Sequence, residues 1–319
     1  MQFKTASRSK EELKTAKQQL NEMIVDVVRG PNGRYNPKGA MKLAENRFEI
    51  AELIVQLIQD EVTTNDPLPF LVEEVEGDIK NQYIWQQMTS ALKVVSRAYG
   101  SKPLSQRLTF KEFSMSTTHK ELAVELPLEE IASGRTTPSL VAEQMAFAVN
   151  RYRISTTLDA LDAAVTAVAD RTAKAGYVLR YVGLTKGNLD KAIDGLADES
   201  DTATIMGRHI ALFPAIESFG GWSQETLRDF EVKGQIGKYR GANIVQIVDG
   251  FAKVVGSHVI RNDRVYIAGG AKGAKFMTKD VSFLNYATVD ERTATFATGI
   301  RLEDGLLVWD PYRYRIIEA

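Results

Sequence analysis

The sequence predicts an α+β fold, with helices gathered in the first half of the chain and strands toward its end. Three observations predict it. An alternating strand at Leu122, Val124, Leu126 and Leu128 runs into a helical pattern about 37 residues long, over residues 138–174, that contains no glycine or proline after Pro138. Two amphipathic helical patterns precede it within residues 9–61. Short extended runs bounded by glycine turns follow it, so helices and strands are segregated rather than alternating. At 1.5 Å per residue the long helix is a rod of roughly 55 Å. A compact domain of this size spans less than that in most directions, so the helix must act as a spine, a coiled coil or a scaffold between separate regions.

In chain order, Ser9 precedes Glu11 and Glu12, which suit a helix N-terminus. Leu13, Ala16, Leu20, Ile24 and Val27/Val28 then recur at helical spacing over residues 9–28. A second helix is expected over residues 40–61, with Leu43, Phe48, Leu53, Val55, Leu57 and Ile58 as its apolar positions. Thr63-Thr64-Asn65-Asp66-Pro67 is a strong breaker, so both helices read as separable from the main body and suited to docking on a neighbouring subunit. Residues 67–116 read as a region with a protruding arm or hairpin, helical over 83–99 and extended over 107–116. Thr137 suits the N-cap of the long helix and Pro138 its first position. The β-branched run Ile154-Ser155-Thr156-Thr157 can bend the helix, and the apolar pattern loses heptad phase there, against a simple coiled coil. Beyond it the sequence predicts a short helix over 188–196, a helix from Ser223, and strands over 210–214, 244–248 and 265–268. Alternation over 293–298 is turned by Gly305 into residues 306–309, and residues 312–317 close the chain.

Composition excludes several functions. The 40 basic and 41 acidic residues nearly cancel, against a dedicated nucleic-acid binder. No cysteine is present, so disulfides, thiolate nucleophiles and cysteine-ligated zinc are out. No apolar run approaches 18 residues, so no membrane-spanning helix is expected. Residues 1–20 lack the apolar core of a secretory signal, and a cytoplasmic protein or a particle assembled there is expected. His119, His209 and His258 fall in no ligand spacing. The Gly269-Gly270-Ala271-Lys272-Gly273-Ala274-Lys275 run follows a strand but lacks the Gly-Lys-Ser/Thr ending of a phosphate loop. It reads as a flexible basic surface loop whose two lysines can touch phosphate nonspecifically. Glu73/Glu74 and Glu129/Glu130 are adjacent and poorly placed for acid–base work, and Asp159/Asp162 read as a solvated helix face. No catalytic, cofactor-binding or metal-ligating residue is assigned, and no cofactor.

The order of these pieces resembles the major capsid proteins of tailed bacteriophages, with the Hong Kong ninety-seven-like capsid fold. The strand and turn Val124-Glu125-Leu126-Pro127-Leu128-Glu129-Glu130-Ile131, the spine over 136–174, the glycine turn and strand Ile236-Gly237-Lys238-Tyr239-Arg240-Gly241-Ala242-Asn243-Ile244-Val245, and the closing strands over 296–317 with Asp310-Pro311 carry it. The resemblance implies a helical N-terminal arm over 1–66 and an extended loop over 67–121. It also implies a peripheral domain over 122–182 and 262–319, and an axial domain over 183–261. It implies a non-enzymatic structural subunit that self-assembles, as hexamers and pentamers, into an icosahedral shell around double-stranded DNA. The implied partners are further copies of itself, a separate scaffolding protein, a portal, a decoration protein and weakly touched packaged DNA, with no membrane. The implied place is the virion capsid, assembled in the host cytoplasm. No lysine–asparagine crosslinking pair is assigned. Competing readings are an encapsulin-type compartment shell and a phosphate-binding enzyme built on residues 269–275.

Overall fold

A single 14-residue strand, β12 (Thr295–Val308), organises the first of two large sheets. The computed structural model describes residues 10–30, 34–64, 66–76, 83–88, 110–173, 178–197, 202–208, 218–219, 238–247, 263–283, 288–290 and 294–318. On one edge β12 pairs antiparallel with β4 (Thr118–Pro127), from Thr295↔Pro127 to Asp304↔Thr118. Its other edge is shared by β10 (Ala274–Phe283) and the short β11 (Thr288–Asp290). The outer edge of β10 takes β1 (Glu73–Glu76) in parallel. Residues 73–76, expected in the extended loop, therefore belong to the main sheet. Gly305 makes no turn: β12 runs straight through it, because β10 keeps pairing across that point, from Asp304 through Gly305 opposite Met277 to Val308.

The second sheet has six strands in the order β5-β13-β9-β6-β8-β7. These are β5 (Arg180–Val182), β6 (Ala203–Arg208), β7 (Lys238–Tyr239), β8 (Ala242–Ile247), β9 (Arg264–Gly269) and β13 (Tyr314–Glu318). The strands β5, β9 and β13, expected in the peripheral part, share this sheet with β6 and β8 of the expected axial part. The β6–β9 ladder crosses the boundary expected at residue 262. The expected strand over 210–214 and the helix from Ser223 lie outside the described residues; the strand at 203–208 was not anticipated.

The long helix α5 (Pro138–Ala173) is unbroken and serves both sheets. Its Ala142, Met145, Ala146 and Val149 pack with Leu126, Phe296, Ile300 and Leu302 of the first sheet. Its Ile154, Leu158, Leu161 and Val165 pack with Met206, Tyr266, Tyr314 and Ile316 of the second, and with Ala274 and Phe276 of β10. At 3.6 residues per turn the second set is rotated by roughly a third of a turn from the first. The loss of heptad phase at residues 154–157 is thus the point where the helix changes partner; no bend is needed. The far face of the second sheet is covered by α6 (Lys186–Ala197), through Leu189, Ala192, Ile193 and Leu196 against Ala203, Ile205, Val265, Ile267 and Ile317.

The front of the chain forms α1 (Lys10–Asn21), which continues through a π-helical turn at Glu22–Asp26, then α2 (Pro37–Glu45) and α3 (Arg47–Thr64). The single helix expected over 40–61 is broken at Asn46, whose backbone leaves helical geometry (ψ 9°). Phe48, expected inside, is 50% exposed. The helices are not separable. Leu20, Ile24, Val28, Ile50, Ile54, Leu57, Ile58 and Val62 are buried in one cluster with α5 and the first sheet. Lys17 Nζ, between helices, reaches Glu61 Oε1 at 2.5 Å and Glu143 Oε1 at 2.6 Å. Burial pulls its ammonium down, but the two carboxylates outweigh that and leave its pKa raised. Asn21 accepts from the Ser139 backbone N–H at 3.2 Å and donates to its hydroxyl at 3.0 Å, so α1 helps cap α5 beside the expected cap, Thr137.

Candidate assembly elements

A two-stranded ribbon stands apart from both large sheets. β2 (Tyr83–Met88) pairs antiparallel with β3 (Phe110–Met115), from Tyr83↔Met115 to Met88↔Phe110. The helix expected from Tyr83 is therefore a strand at least to Met88; residues 89–99 lie outside the described ones. An isolated two-stranded ribbon is marginally stable in water, so its root matters. Met115 is buried, and only Ser116 and Thr117 separate β3 from β4. Gly305 of β12 passes so close that a Cβ there would sit 2.5 Å from the Ser116 carbonyl oxygen. The Thr117 hydroxyl donates to Glu303 at 2.6 Å, and Lys120 donates to Asp304 at 2.7 Å. Tyr152 of α5 donates to the same Asp304 oxygen at 3.2 Å, with Lys120 4.5 Å from its ring centroid. The ribbon is rooted in the sheet and in the spine together.

Burial lifts the Asp304 carboxyl above its usual 3.8, although Lys120 opposes it. The native state then holds this proton more tightly than the unfolded chain does. The contribution to stability is full below pH 3.8 and is lost as pH rises through the raised native value. Urea unfolding from pH 3 to pH 7 should show wild type losing stability relative to Asp304→Asn across that window. A difference that instead grows in favour of wild type would mean that Lys120 outweighs burial.

Two ionic clusters tie α5 to the two sheets. Arg153, 5% exposed on α5, donates to Asp66 Oδ2 at 2.5 Å and to Glu74 of β1, and lies 5.0 Å from the Phe276 ring centroid. Asp66 also accepts from Leu68 N–H at 2.9 Å. The second cluster joins Arg264 to Asp162 of α5, and both Arg264 and Arg180 to Glu318. Burial lowers the Arg264 pKa, but the Asp162 carboxylate raises it further. Asp162 is therefore an ion-pair partner and not a solvated residue, whereas Asp159 is exposed as expected. Sequence reasoning missed Arg153; the available signal was a charged residue inside the apolar stripe of a long helix. Tyr239 of β7 donates to Asp190 of α6 at 2.8 Å, and burial with that bond pushes its phenol up to about 12.

The residues singled out by sequence land apart. Gly269–Lys275 is neither a phosphate cradle nor a free loop, because its cations are engaged by the protein. Lys272 donates to the carbonyls of Phe70 and Gly269, and burial lowers its pKa. Lys275, 3% exposed, donates to Glu73 at 3.1 Å. Gly273 accepts from the backbone N–H groups of Trp309 and Asp310, each at 3.0 Å. His119 is exposed, 3.7 Å from Glu303; His209 and His258 lie outside the described residues. Glu129 and Glu130 fall in the short helix α4 (Leu128–Ala132). Tyr314 packs inside, accepting from Gly273 N–H at 3.1 Å and donating to the Leu71 carbonyl at 2.9 Å. Tyr314→Phe strands both groups, so urea unfolding should record a loss of about 2–4 kcal/mol. Among the described residues, no group of three or more metal-ligating side chains is assembled, and no helix is long and apolar enough to cross a membrane. Leu140 and Phe147, one heptad apart on α5, are 45% and 43% exposed.

No protein-family model matches the sequence, and no curated protein matches it. Solved structures do match. A structure from Mycobacterium phage Adephagia aligns at TM-score 0.54 and 11% identity, over 81% of this chain and 89% of that one. A structure from Gordonia phage Cozz aligns at TM-score 0.53 and 12% identity, over 79% and 85%. The capsid structure of cyanophage P-SCSP1u aligns at TM-score 0.52 and 12% identity, over 80% and 88%. At such identities the likeness shows the fold: this chain has the Hong Kong ninety-seven-like fold found in phage capsids.

Proposed function

We propose that this chain is the major capsid protein of a tailed phage, assembling as hexamers and pentamers into an icosahedral shell around double-stranded DNA. The observation that carries the reading is the alignment with a phage capsid over 80% of the chain. The β2–β3 ribbon supports it, because a projecting two-stranded element needs a surface outside its own subunit. We assign the five-stranded sheet, α5 and the N-terminal helices to a peripheral wall, and the six-stranded sheet with α6 to an axial lobe. The two ionic clusters are structural in this reading, and the subunit carries out no catalysis. A separate scaffolding protein, a portal and a decoration protein would complete the particle, formed in the host cytoplasm.

Purified protein, alone and co-expressed with the phage's scaffolding protein, should form megadalton particles by light scattering and negative-stain microscopy. Nuclease-protected DNA in particles from infected cells would separate a virion from a cargo compartment. Replacing residues 83–115 by a short glycine–serine turn should leave a folded subunit, with unchanged near-ultraviolet dichroism, that forms no shell. A wild-type chain that stays monomeric in every arm sinks the proposal; normal shells from the replacement variant sink the ribbon's role in it.

A further inference from the structure

At one end of the six-stranded sheet two arginines come side by side. The β6–β9 ladder runs antiparallel through Met206↔Tyr266 and Gly207↔Val265, so the next step sets Arg208 against Arg264. Both lie on the face that carries Met206 and Tyr266, toward the C-terminal half of α5. Each is 7% exposed. The two are not provided for alike. Arg264 has Asp162 and Glu318, and Glu318 is shared with Arg180. Arg208 Nη1 is buried and meets no acceptor among the described residues. Among the described residues, the three guanidiniums Arg180, Arg208 and Arg264 stand against two carboxylates, Asp162 and Glu318, leaving one positive charge over.

A guanidinium cannot shed its proton to relieve this, unlike a buried lysine. A buried charge without a partner is strongly disfavoured, and planar guanidinium donors match an oxyanion in paired hydrogen bonds. The geometry points to a binding site for a small oxyanion of the phosphate class at Arg208, at the end of β6. Its burial favours a free ion over the backbone of a polynucleotide, which could not approach a side chain so enclosed. The site is independent of the shell reading, since it needs no second subunit.

The test is thermal unfolding of the full-length chain, with inorganic phosphate titrated against sodium chloride of equal ionic strength. Wild type should gain roughly 2–5 °C in Tm at saturating phosphate. Arg208→Met should show no phosphate-specific gain and should be at least as stable as wild type in phosphate-free buffer, because it removes a buried charge without a partner. A parallel arm with a short thymidine oligonucleotide identifies the source: an Arg208-dependent gain there, and none with phosphate, overturns the free-ion assignment. A wild-type Tm indifferent to phosphate, or an equal gain in Arg208→Met, overturns the site. Equilibrium dialysis of radiolabelled phosphate against wild type keeps the question decidable if the variant does not fold; one ion per chain is expected, and none overturns it.

Discussion

Arg153→Met should cost about 3–5 kcal/mol in urea unfolding, the range for breaking a buried ion pair from one side. The substitution keeps most of the side-chain volume, so the loss reports charge and hydrogen bonding rather than a cavity. What it leaves behind is Asp66, whose side chain is 6% exposed and whose Oδ2 would face no cation. Asp66 cannot simply turn to water, because its other oxygen holds the Leu68 N–H that starts the turn after α3. Glu74 suffers less; its side chain is 40% exposed and can hydrate. The asymmetry gives an internal check. Adding Asp66→Asn to Arg153→Met should recover a large part of the loss, and adding Glu74→Gln should recover little. Arg153→Lys should fall between, since one ammonium cannot serve two carboxylates as a planar fork does. A loss below about 1 kcal/mol for Arg153→Met would place the cluster in the class of solvated surface pairs.

The same residue shows how much of this molecule was legible in its sequence. The α+β class, the strand entering a capped spine and the strands expected at 244–248 and 265–268 follow from local patterns, and those patterns survive in the described residues, the first of these strands to Ile247. The phase break at residues 154–157 was visible, yet its meaning was not. A one-dimensional pattern records that the buried face rotates, but not that one sheet ends and another begins there. Gly305 failed for a related reason. Glycine in an alternating run signals a turn when neighbours are unknown; here it admits the Ser116 carbonyl beside a straight strand. The two lysines of residues 269–275 look free in sequence, and their acceptors are Phe70, Gly269 and Glu73, two of them about 200 residues away in the chain. Ionic partners at that separation leave no local trace. The same holds for the end of the chain, which leaves the first sheet after β12 and enters the second as β13.

A chain beginning at residue 66 should fail to reach a native fold, although the breaker at residues 63–67 marks that point as a boundary. The deleted helices carry away Leu20, Ile24, Val28, Leu43, Ile50, Ile54, Leu57, Ile58 and Val62, each no more than 2% exposed. At about 1.5–3 kcal/mol for each buried side chain, their gross contribution matches or exceeds the roughly 5–15 kcal/mol by which a domain is stable. Deletion also removes the ordering cost of those residues, so the decisive count is what stays behind uncovered. That is the inner stripe of α5 at Met145, Ala146 and Val149, with Leu126, Phe296, Ile300 and Leu302 beneath it. Polar losses add to it. Glu143 loses Lys17, the α5 N-terminus loses the Asn21 side chain, and Asn150 loses the Val62 carbonyl. The expected product is an aggregating chain with collapsed near-ultraviolet dichroism and a broad unfolding transition. Replacement of the β2–β3 ribbon, by contrast, touches only Met115 among the described buried residues and should leave that signal intact. The pair of deletions therefore separates an element that builds the subunit from one that reaches out of it. A sharply folded monomer from the chain starting at residue 66 would return α1 to α3 to the role of an exchangeable arm.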